Sequence, residues 1–360
     1  MRREKSNKLQ LTAVDLFSGC GGLTTGLKIA GFKVLAAVEA DQTVAEIYRK
    51  NHRSTLMFQR DITELTPTVL MQAVELLPGK LDLLAGCPPC QGFSSLRTRN
   101  GASRNNDRRN ALVHQIVRFA KILKPKAIML ENVPRLLTHS SFKEVQSALR
   151  KLGYRVESRI ENASDFGVPQ RRKRLIMLAT RNFSPRFAER NQNRVSVRQA
   201  IGGLPPPNSS SDKLHTSDMS RRSKRVREII AHIPKDGGSR KSLPKRLQLK
   251  CHRRAKGFSD VYGRMSWDDV SPTITGGCYN PSKGRFLHPI QDRPITLREA
   301  ALLQGFPPKY YFDPSIGQQP IALMIGNALP PPFVAQHAKV VARLLRSDAK
   351  RKPGAKAGFP

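Results

Sequence analysis

Two cysteines three residues apart, Cys87 and Cys90, stand in the run Gly86-Cys87-Pro88-Pro89-Cys90-Gln91-Gly92-Phe93-Ser94, directly after the apolar stretch Leu81–Gly86. Such a pair admits three chemistries. A zinc half-site needs a second close ligand pair, whereas Cys251 and Cys278 lie 27 positions apart and each stands alone. A redox dithiol accounts for the spacing but leaves Gln91 to Ser94 without a purpose. A single nucleophile with a bystander is the third, since a thiolate is the side chain best suited to add to an electron-poor carbon. A thiol with a pKa of about 8.5 is only partly ionised near neutrality, so that use needs positive charge close by.

Other chemistry-bearing residues cluster in short strings. Asp15-Leu16-Phe17-Ser18-Gly19-Cys20-Gly21-Gly22 places glycines where a first strand would turn into a helix, so that backbone can approach a ligand. Glu39, 20 positions after Gly19, falls at the expected end of a second strand, where a carboxylate can accept hydrogen bonds from ribose hydroxyls. This is a nucleoside-binding layout shared by NAD and S-adenosylmethionine enzymes, and the missing third glycine of the dinucleotide fingerprint weakens the NAD reading. Glu131 closes another apolar run and reads either as a buried catalytic carboxyl or as a strand-end carboxylate in a salt bridge. Arg171 to Arg174 is a basic run that, alone, would be solvated surface.

The elements that must position these groups follow from hydrophobic periodicity. Ala13–Phe17, Val34–Val38, Leu81–Gly86, Ala127–Glu131 and Leu175–Thr180 read as strands, and Leu23–Ala30, Thr43–Asn51, Leu112–Leu123 and Phe142–Leu152 as helices. Alternation of this kind predicts an α/β fold with a doubly wound parallel sheet, whose carboxyl edge gathers ligands. From Arg181 to about Trp267 the pattern lapses into Arg, Lys, Ser and Pro, with Val226–Ile233, Val261–Tyr262 and Trp267 as apolar anchors that argue for folding. Helical spacing returns at Leu297–Gln304 and Phe333–Leu345. The expected organisation is a catalytic domain of residues 9–186 plus 321–346, a small basic recognition domain at 187–320 and a basic tail at 347–360, with the chain crossing between domains twice.

Charge points to the partner. With 63 basic and 27 acidic residues the formal net charge is +36, and Arg171–Val270 alone holds 25 basic against 8 acidic. A polyanion, above all nucleic acid, is the natural partner of such a surface. Met1–Leu16 offers too short an apolar stretch for a signal peptide or membrane span, and five scattered cysteines make no disulfide framework. The expected setting is therefore cytoplasmic and nucleoid-associated, in a bacterial or phage-like source, with no membrane contact.

Pro89-Cys90-Gln91 is similar to the nucleophile motif of the cytosine-5 DNA methyltransferase family, of the bacterial restriction-modification type. The likeness extends along nearly the whole chain. Asp15–Gly22 resembles the family's cofactor motif, Glu131-Asn132-Val133 its Glu-Asn-Val, and Gln170, Arg172 and Arg174 its Gln-x-Arg-x-Arg. Arg293–Pro307 and Gly326-Asn327-Ala328 resemble its last two motifs, in order. The resemblance implies a Rossmann-like S-adenosylmethionine-dependent fold with a small inserted DNA-recognition domain, and methyl transfer from S-adenosyl-L-methionine to C5 of a cytosine flipped out of duplex DNA. It assigns Cys90 to attack at C6, Glu131 to the N3 and amino edge, and Arg172 and Arg174 to the cytosine O2 and its surroundings. Gln91, Ser94 and Gln170 are implied substrate-binding residues. Phe17 would stack near the adenine and Glu39 take the ribose. Asp61 and Ile62 would frame the base and Asn327 close the cofactor side, with Ser18, Gly19, Gly21, Gly22 and Pro89 completing that site. No metal is required, the expected state is a monomer, and a cognate restriction endonuclease is a possible companion.

The tRNA-modifying branch shares the nucleophile and cofactor motifs, but the sizeable basic insert and the full set of DNA-type motifs stand against it. A non-catalytic DNA-binding regulator would not need Cys90, Glu131 and Arg172 intact, and an NAD oxidoreductase would be told apart by its bound cofactor. Ser95–Asn110, with five arginines and almost no apolar residue, cannot pack a core and reads as a lid over the flipped base. Exchanging the insert, about Phe187–Pro272, for that of a relative is expected to move the recognised DNA site without changing the base methylated, because direct readout belongs to base-edge contacts. Bisulfite mapping of DNA from cells expressing the chimaera reads this, and unchanged site preference would put recognition elsewhere.

Overall fold

The computed structural model describes residues 10–89, 112–191, 194–249 and 260–351. Cys90, Gln91, Ser94, the Ser95–Asn110 stretch and Cys251 lie outside the described residues. As far as they are described, the residues form two compact units, one of Met1–Glu161, Lys173–Glu189 and Phe333–Pro360, the other of Asn162–Arg172 and Arg190–Pro332.

The first unit is built on a seven-stranded sheet in the order β3-β2-β1-β4-β5-β7-β6. Its strands are β1 (Leu11–Leu16), β2 (Phe32–Glu39), β3 (Leu56–Gln59), β4 (Leu83–Gly86), β5 (Ala127–Asn132), β6 (Arg155–Asn162) and β7 (Lys173–Thr180). Helices α1 (Gly22–Ile29), α2 (Gln42–Asn51), α3 (Pro67–Ala73), α4 (Gln115–Leu123) and α5 (Ser140–Lys151) connect or follow them. β4 and β5 are almost wholly buried, as expected of strands covered on both faces, and read as continuous apolar runs for that reason. Strands β1 to β5 are parallel, and Leu16, Gly86 and Leu130 lie side by side at their carboxyl ends. The sheet is mixed, however, and not parallel throughout: β7 runs antiparallel to β5. Only the single-turn helix Ala163–Phe166 separates β6 from β7, so the α-helical crossover that a parallel pairing demands is missing.

At the opposite end of β1 and β4, Asp82 fastens three strands. Its Oδ2 accepts the Thr12 N–H at 2.7 Å, and Lys126 donates to its Oδ1 at 2.7 Å. The first unit also holds most of α10 (Pro331–Arg351), whose His337 Nδ1 accepts the Ala188 N–H at 3.2 Å. Burial among Phe187 and Phe333 lowers the His337 pKa to about 3, so the ring is neutral. Among the described residues no helix is long and apolar enough to cross a membrane.

In the second unit, α6 (Val197–Ile201), α7 (Lys224–Ala231), α8 (Leu297–Leu303) and α9 (Gln318–Asn327) stand among turns and single-turn helices. The apolar anchors of the basic segment do form a core: Ile229, Ile230, Ile233, Val261 and Tyr262 pack with Leu243, Leu247 and Leu287. The unit's boundaries fall differently from those expected, and four crossings replace two. Asn162–Arg172 joins it because its backbone pairs with a neighbouring strip, Arg171 N–H to Ser271 O at 2.8 Å and Ser271 N–H to Pro169 O at 2.9 Å. The stretch expected to rejoin the catalytic domain at residue 321 stays in the second unit, because a Cβ on Gly326 would meet Gly276 N at 2.4 Å, so close does the backbone approach.

Arg264, fully buried, organises this unit. Its guanidinium donates to the carbonyls of Ile233 at 3.0 Å, Ile230 at 2.8 Å, His288 at 3.1 Å and Gln291 at 2.6 Å, and to Asp292. Replacing it would take a buried donor from all five acceptors, so Arg264→Met is expected to destabilise the second unit by about 3–5 kcal/mol. Trp267, the single tryptophan, is packed edge-on against His288 in the same unit, so its fluorescence in a urea titration is the readout. An unshifted Trp267 transition would contradict this role.

Candidate functional site

The turn after β1 has the backbone that its glycines foretold. Gly19 and Gly21 take φ of +54° and +101°. Phe17 adopts φ +61°, which a bulky residue accepts only where its surroundings impose it, and this strain was not readable from sequence. Ser18 N–H reaches Val38 O at 2.9 Å and Gly21 N–H reaches Ser18 O at 3.0 Å. Gly21 is the N-cap of α1, which begins at Gly22 and carries no side-chain cap, so its first N–H groups face the turn.

Glu39 ends β2 beside that turn. Its Oε2 accepts the Gly19 N–H at 2.9 Å and its Oε1 the Asp41 N–H at 3.0 Å, while burial raises its pKa. The Ala40 N–H also bonds to it, and since a carboxylate has about four acceptor positions, capacity remains for a hydroxyl of a bound nucleoside. Asp61 follows β3; Thr63 donates from both N–H and hydroxyl to the same oxygen, Oδ1, which lowers the Asp61 pKa and leaves Oδ2 clear of those bonds. Ile62 beside it is 4% exposed and packs within the core. Its carbonyl accepts a hydrogen bond from Arg118.

At the carboxyl ends of β4 and β5 two motifs interlock. Cys87 N–H donates to Leu16 O at 3.2 Å, and Asn132 Nδ2 donates to Pro88 O at 2.9 Å. Glu131, almost fully buried, accepts a hydrogen bond on Oε2 and has an ion-pair neighbour at Oε1, which itself accepts no hydrogen bond among the described residues. Arg174 Nε stands 2.9 Å from Oε1, and the Cys87 thiol donates to Oε2 at 2.8 Å. Pro89, half-buried, is the last described residue before Cys90.

Gln170 and Arg172 belong to the second unit and do a different job. Gln170, fully buried, donates to Leu303 O at 3.0 Å and to Gln304 Oε1, and accepts the Ile274 N–H at 3.0 Å. Arg172 spends its Nη atoms on the carbonyls of Ile274 at 3.1 Å, Gly326 at 2.9 Å and Ala328 at 3.3 Å. The described contacts of its fork are with main chain, because the turn at Gly326-Asn327-Ala328 needs donors for its carbonyls. Asn327 ends α9 with an exposed side chain. The Arg293–Pro307 motif likewise builds the unit. Arg293 forks onto Glu299 at 2.8 and 2.7 Å, and Glu299 completes a capping box with Thr296 at the start of α8.

A glycine turn at a helix N-terminus, a carboxylate at the next strand end and a buried, ion-paired carboxyl share the carboxyl edge of a doubly wound sheet, the layout of S-adenosylmethionine-dependent methyltransferases. Residues 11–343 match the model of the C-5 cytosine-specific DNA methylases, and the chain belongs to that family: it methylates cytosine in DNA at C5. It is 35% identical to the Type II methylase M.HgiDII of Herpetosiphon aurantiacus over 94% of this chain and 97% of that one. It is 34% identical to the Type II methyltransferase M1.HphI of Haemophilus parahaemolyticus over 93% and 88%. Among solved structures, S. pombe Dnmt2 shares the fold, with a TM-score of 0.58 at 20% identity over 94% of this chain and 99% of that one.

One buried group under the turn escaped sequence reading. Asp15 Oδ2 accepts the Thr24 hydroxyl at 2.6 Å, Thr24 meets Tyr48 Oη at 2.7 Å, and Asp15 Oδ1 has no hydrogen-bond partner among the described residues. Burial raises the Asp15 pKa from 3.8 to about 7. The folded value exceeds the unfolded one, so ionisation opposes folding: the penalty is absent below about pH 4, grows as pH rises and is complete above about 7, reaching about 4 kcal/mol. Asp15→Asn is thus expected to gain stability over the parent between pH 5 and pH 8. Urea midpoints of the two at each pH measure it, and a pH-independent difference would refute the assignment.

Proposed function

We propose that the chain methylates cytosine within a specific duplex sequence through a covalent Cys90 adduct, using S-adenosyl-L-methionine. The observation that carries this reading is Glu131, buried at the carboxyl end of β5, hydrogen-bonded on Oε2 by Cys87 of the nucleophile motif and ion-paired with Arg174. Cys90 itself is assigned from its place in the Pro89-Cys90-Gln91 motif.

The cofactor residues fit their task. Glu39 has acceptor capacity left for ribose hydroxyls, Asp61 Oδ2 for an exocyclic amine, and the Phe17–Gly22 turn offers N–H groups and an aromatic face. S-adenosylmethionine, when bound, supplies an electrophilic methyl group to C5.

The chain's own residues do the rest. The Cys90 thiolate forms a bond to C6 while Glu131 gives a proton to N3, which moves electron density onto C5. Arg174, paired with Glu131, is the arginine suited to the cytosine O2; Arg172 supports it from the main chain it ties together. After C5 has gained the methyl group, its proton leaves to a base, the Cys90–C6 bond breaks and N3 returns its proton to Glu131. None of this can happen to a stacked base, so the cytosine must be extruded. Gln91 and Ser94 are assigned to the substrate through the same motif, and Gln170 supports from the second unit, whose basic segment would read the site.

The kinship with Type II methylases supports a role in a restriction-modification pair with an endonuclease of the same specificity. Cys90→Ser is expected to abolish methyl transfer, and duplex DNA bearing 5-fluorocytosine at the target to leave a stable protein–DNA adduct, since fluorine cannot depart as a proton. Denaturing electrophoresis reads the adduct; its absence would remove the covalent mechanism.

A further inference from the structure

Cys87 reads in the sequence as the bystander of a two-cysteine motif, and the reaction above gives it no task. Its geometry gives it one. The thiol lies 2.8 Å from Glu131 Oε2, on the oxygen opposite the one that Arg174 Nε approaches at 2.9 Å. Arg174 is an ion-pair neighbour without an aligned hydrogen bond, since Oε1 accepts none among the described residues, and charge alone leaves a carboxylate free to turn about its terminal torsion, which is broad and shallow; a donor on the other oxygen fixes its plane. The thiol is itself well anchored, because the Cys87 N–H is tied to Leu16 O and the next residue's carbonyl to Asn132 Nδ2. Both partners therefore sit on clamped backbone at adjoining strand ends.

We propose that Cys87 is a positioning residue for methyl transfer: its thiol donates to Glu131 Oε2 and sets the plane in which that carboxyl meets the N3 and amino edge of the flipped cytosine. The proposal rests on Glu131 being the group that meets the base. A side chain of the same size without a donor would leave Glu131 near the base yet free to turn, and misorientation of this kind lowers the rate of the chemical step more than the binding of either substrate.

The test is steady-state methyl transfer from labelled S-adenosylmethionine to a duplex containing the recognised site. Cys87→Ala is expected to lower kcat about tenfold while the KM for DNA stays within about twofold. Calorimetric affinity for S-adenosylhomocysteine should be unchanged, which also checks that the variant folds. Cys87→Ser, which keeps a donor, should recover most of the lost rate. In a Glu131→Gln background, Cys87→Ala should cost nothing more, since the group it orients is gone. Full activity of Cys87→Ala, equal losses in the Ala and Ser variants, or losses that multiply with Glu131→Gln would each overturn the proposal. A Glu131→Gln variant as fast as the parent would instead remove the reading beneath it.

Discussion

Everything chemical in this molecule depends on how the ends of β4 and β5 are tied together. Two adjacent residues, Glu131 and Asn132, reach across to two other adjacent residues, Cys87 and Pro88: side chain to side chain in one case and side chain to carbonyl in the other. The register of the parallel pair, with Gly86 beside Leu130, is what brings them level. Gly86 permits it, since a Cβ there would meet Ile116 Cδ1 at 2.8 Å and Leu16 O at 3.1 Å. A parallel sheet buried on both faces cannot slip without exposing its apolar runs, so the same hydrophobic pattern that makes the core also fixes the approach to the nucleophile motif.

That dependence explains why so much was legible and where legibility ended. The five strands read from the sequence were all present, because each is a short apolar run bounded by turn residues and needs no long-range information to recognise. β6 escaped because it reads Arg-Val-Glu-Ser-Arg-Ile-Glu-Asn, half exposed and highly charged, an edge strand with no apolar signature. The antiparallel sense of β7 escaped for a related reason: direction is set by the connection, and the connection after β6 leaves the first unit altogether. Boundaries between units follow backbone pairing at Ser271 and close approach at Gly326, and neither leaves a compositional trace.

At the site, position along the chain told more than role. Glu39 and Asp61 stand at strand ends as anticipated, while Ile62 packs within the core and Arg172 bonds the carbonyls of its own unit. Arg172 and Arg174 look interchangeable in a basic run, and only the fold separates them: one faces main chain, the other a buried carboxyl. Cys87 was equally opaque, since a cysteine beside a catalytic cysteine invites redox or metal readings before anyone asks what its S–H donates to.

Several short strings that look like reaction chemistry in the sequence are, physically, solutions to buried polarity. Gln170 uses its amide on both sides, Arg172 satisfies three carbonyls, Arg264 satisfies four, and Arg293 with Thr296 encloses Glu299. Such networks are costly when half-made and rigid when complete. The second unit has few regular elements, so it cannot rely on sheet ladders or long helices to satisfy its backbone, and arginine side chains take over that work. An excess of basic residues here thus serves two ends. The buried arginines hold irregular backbone in one conformation, and the exposed lysines and arginines of the same segment remain available to phosphates. A loop-rich surface fixed from within in this way can vary its exposed side chains without disturbing the backbone that carries them.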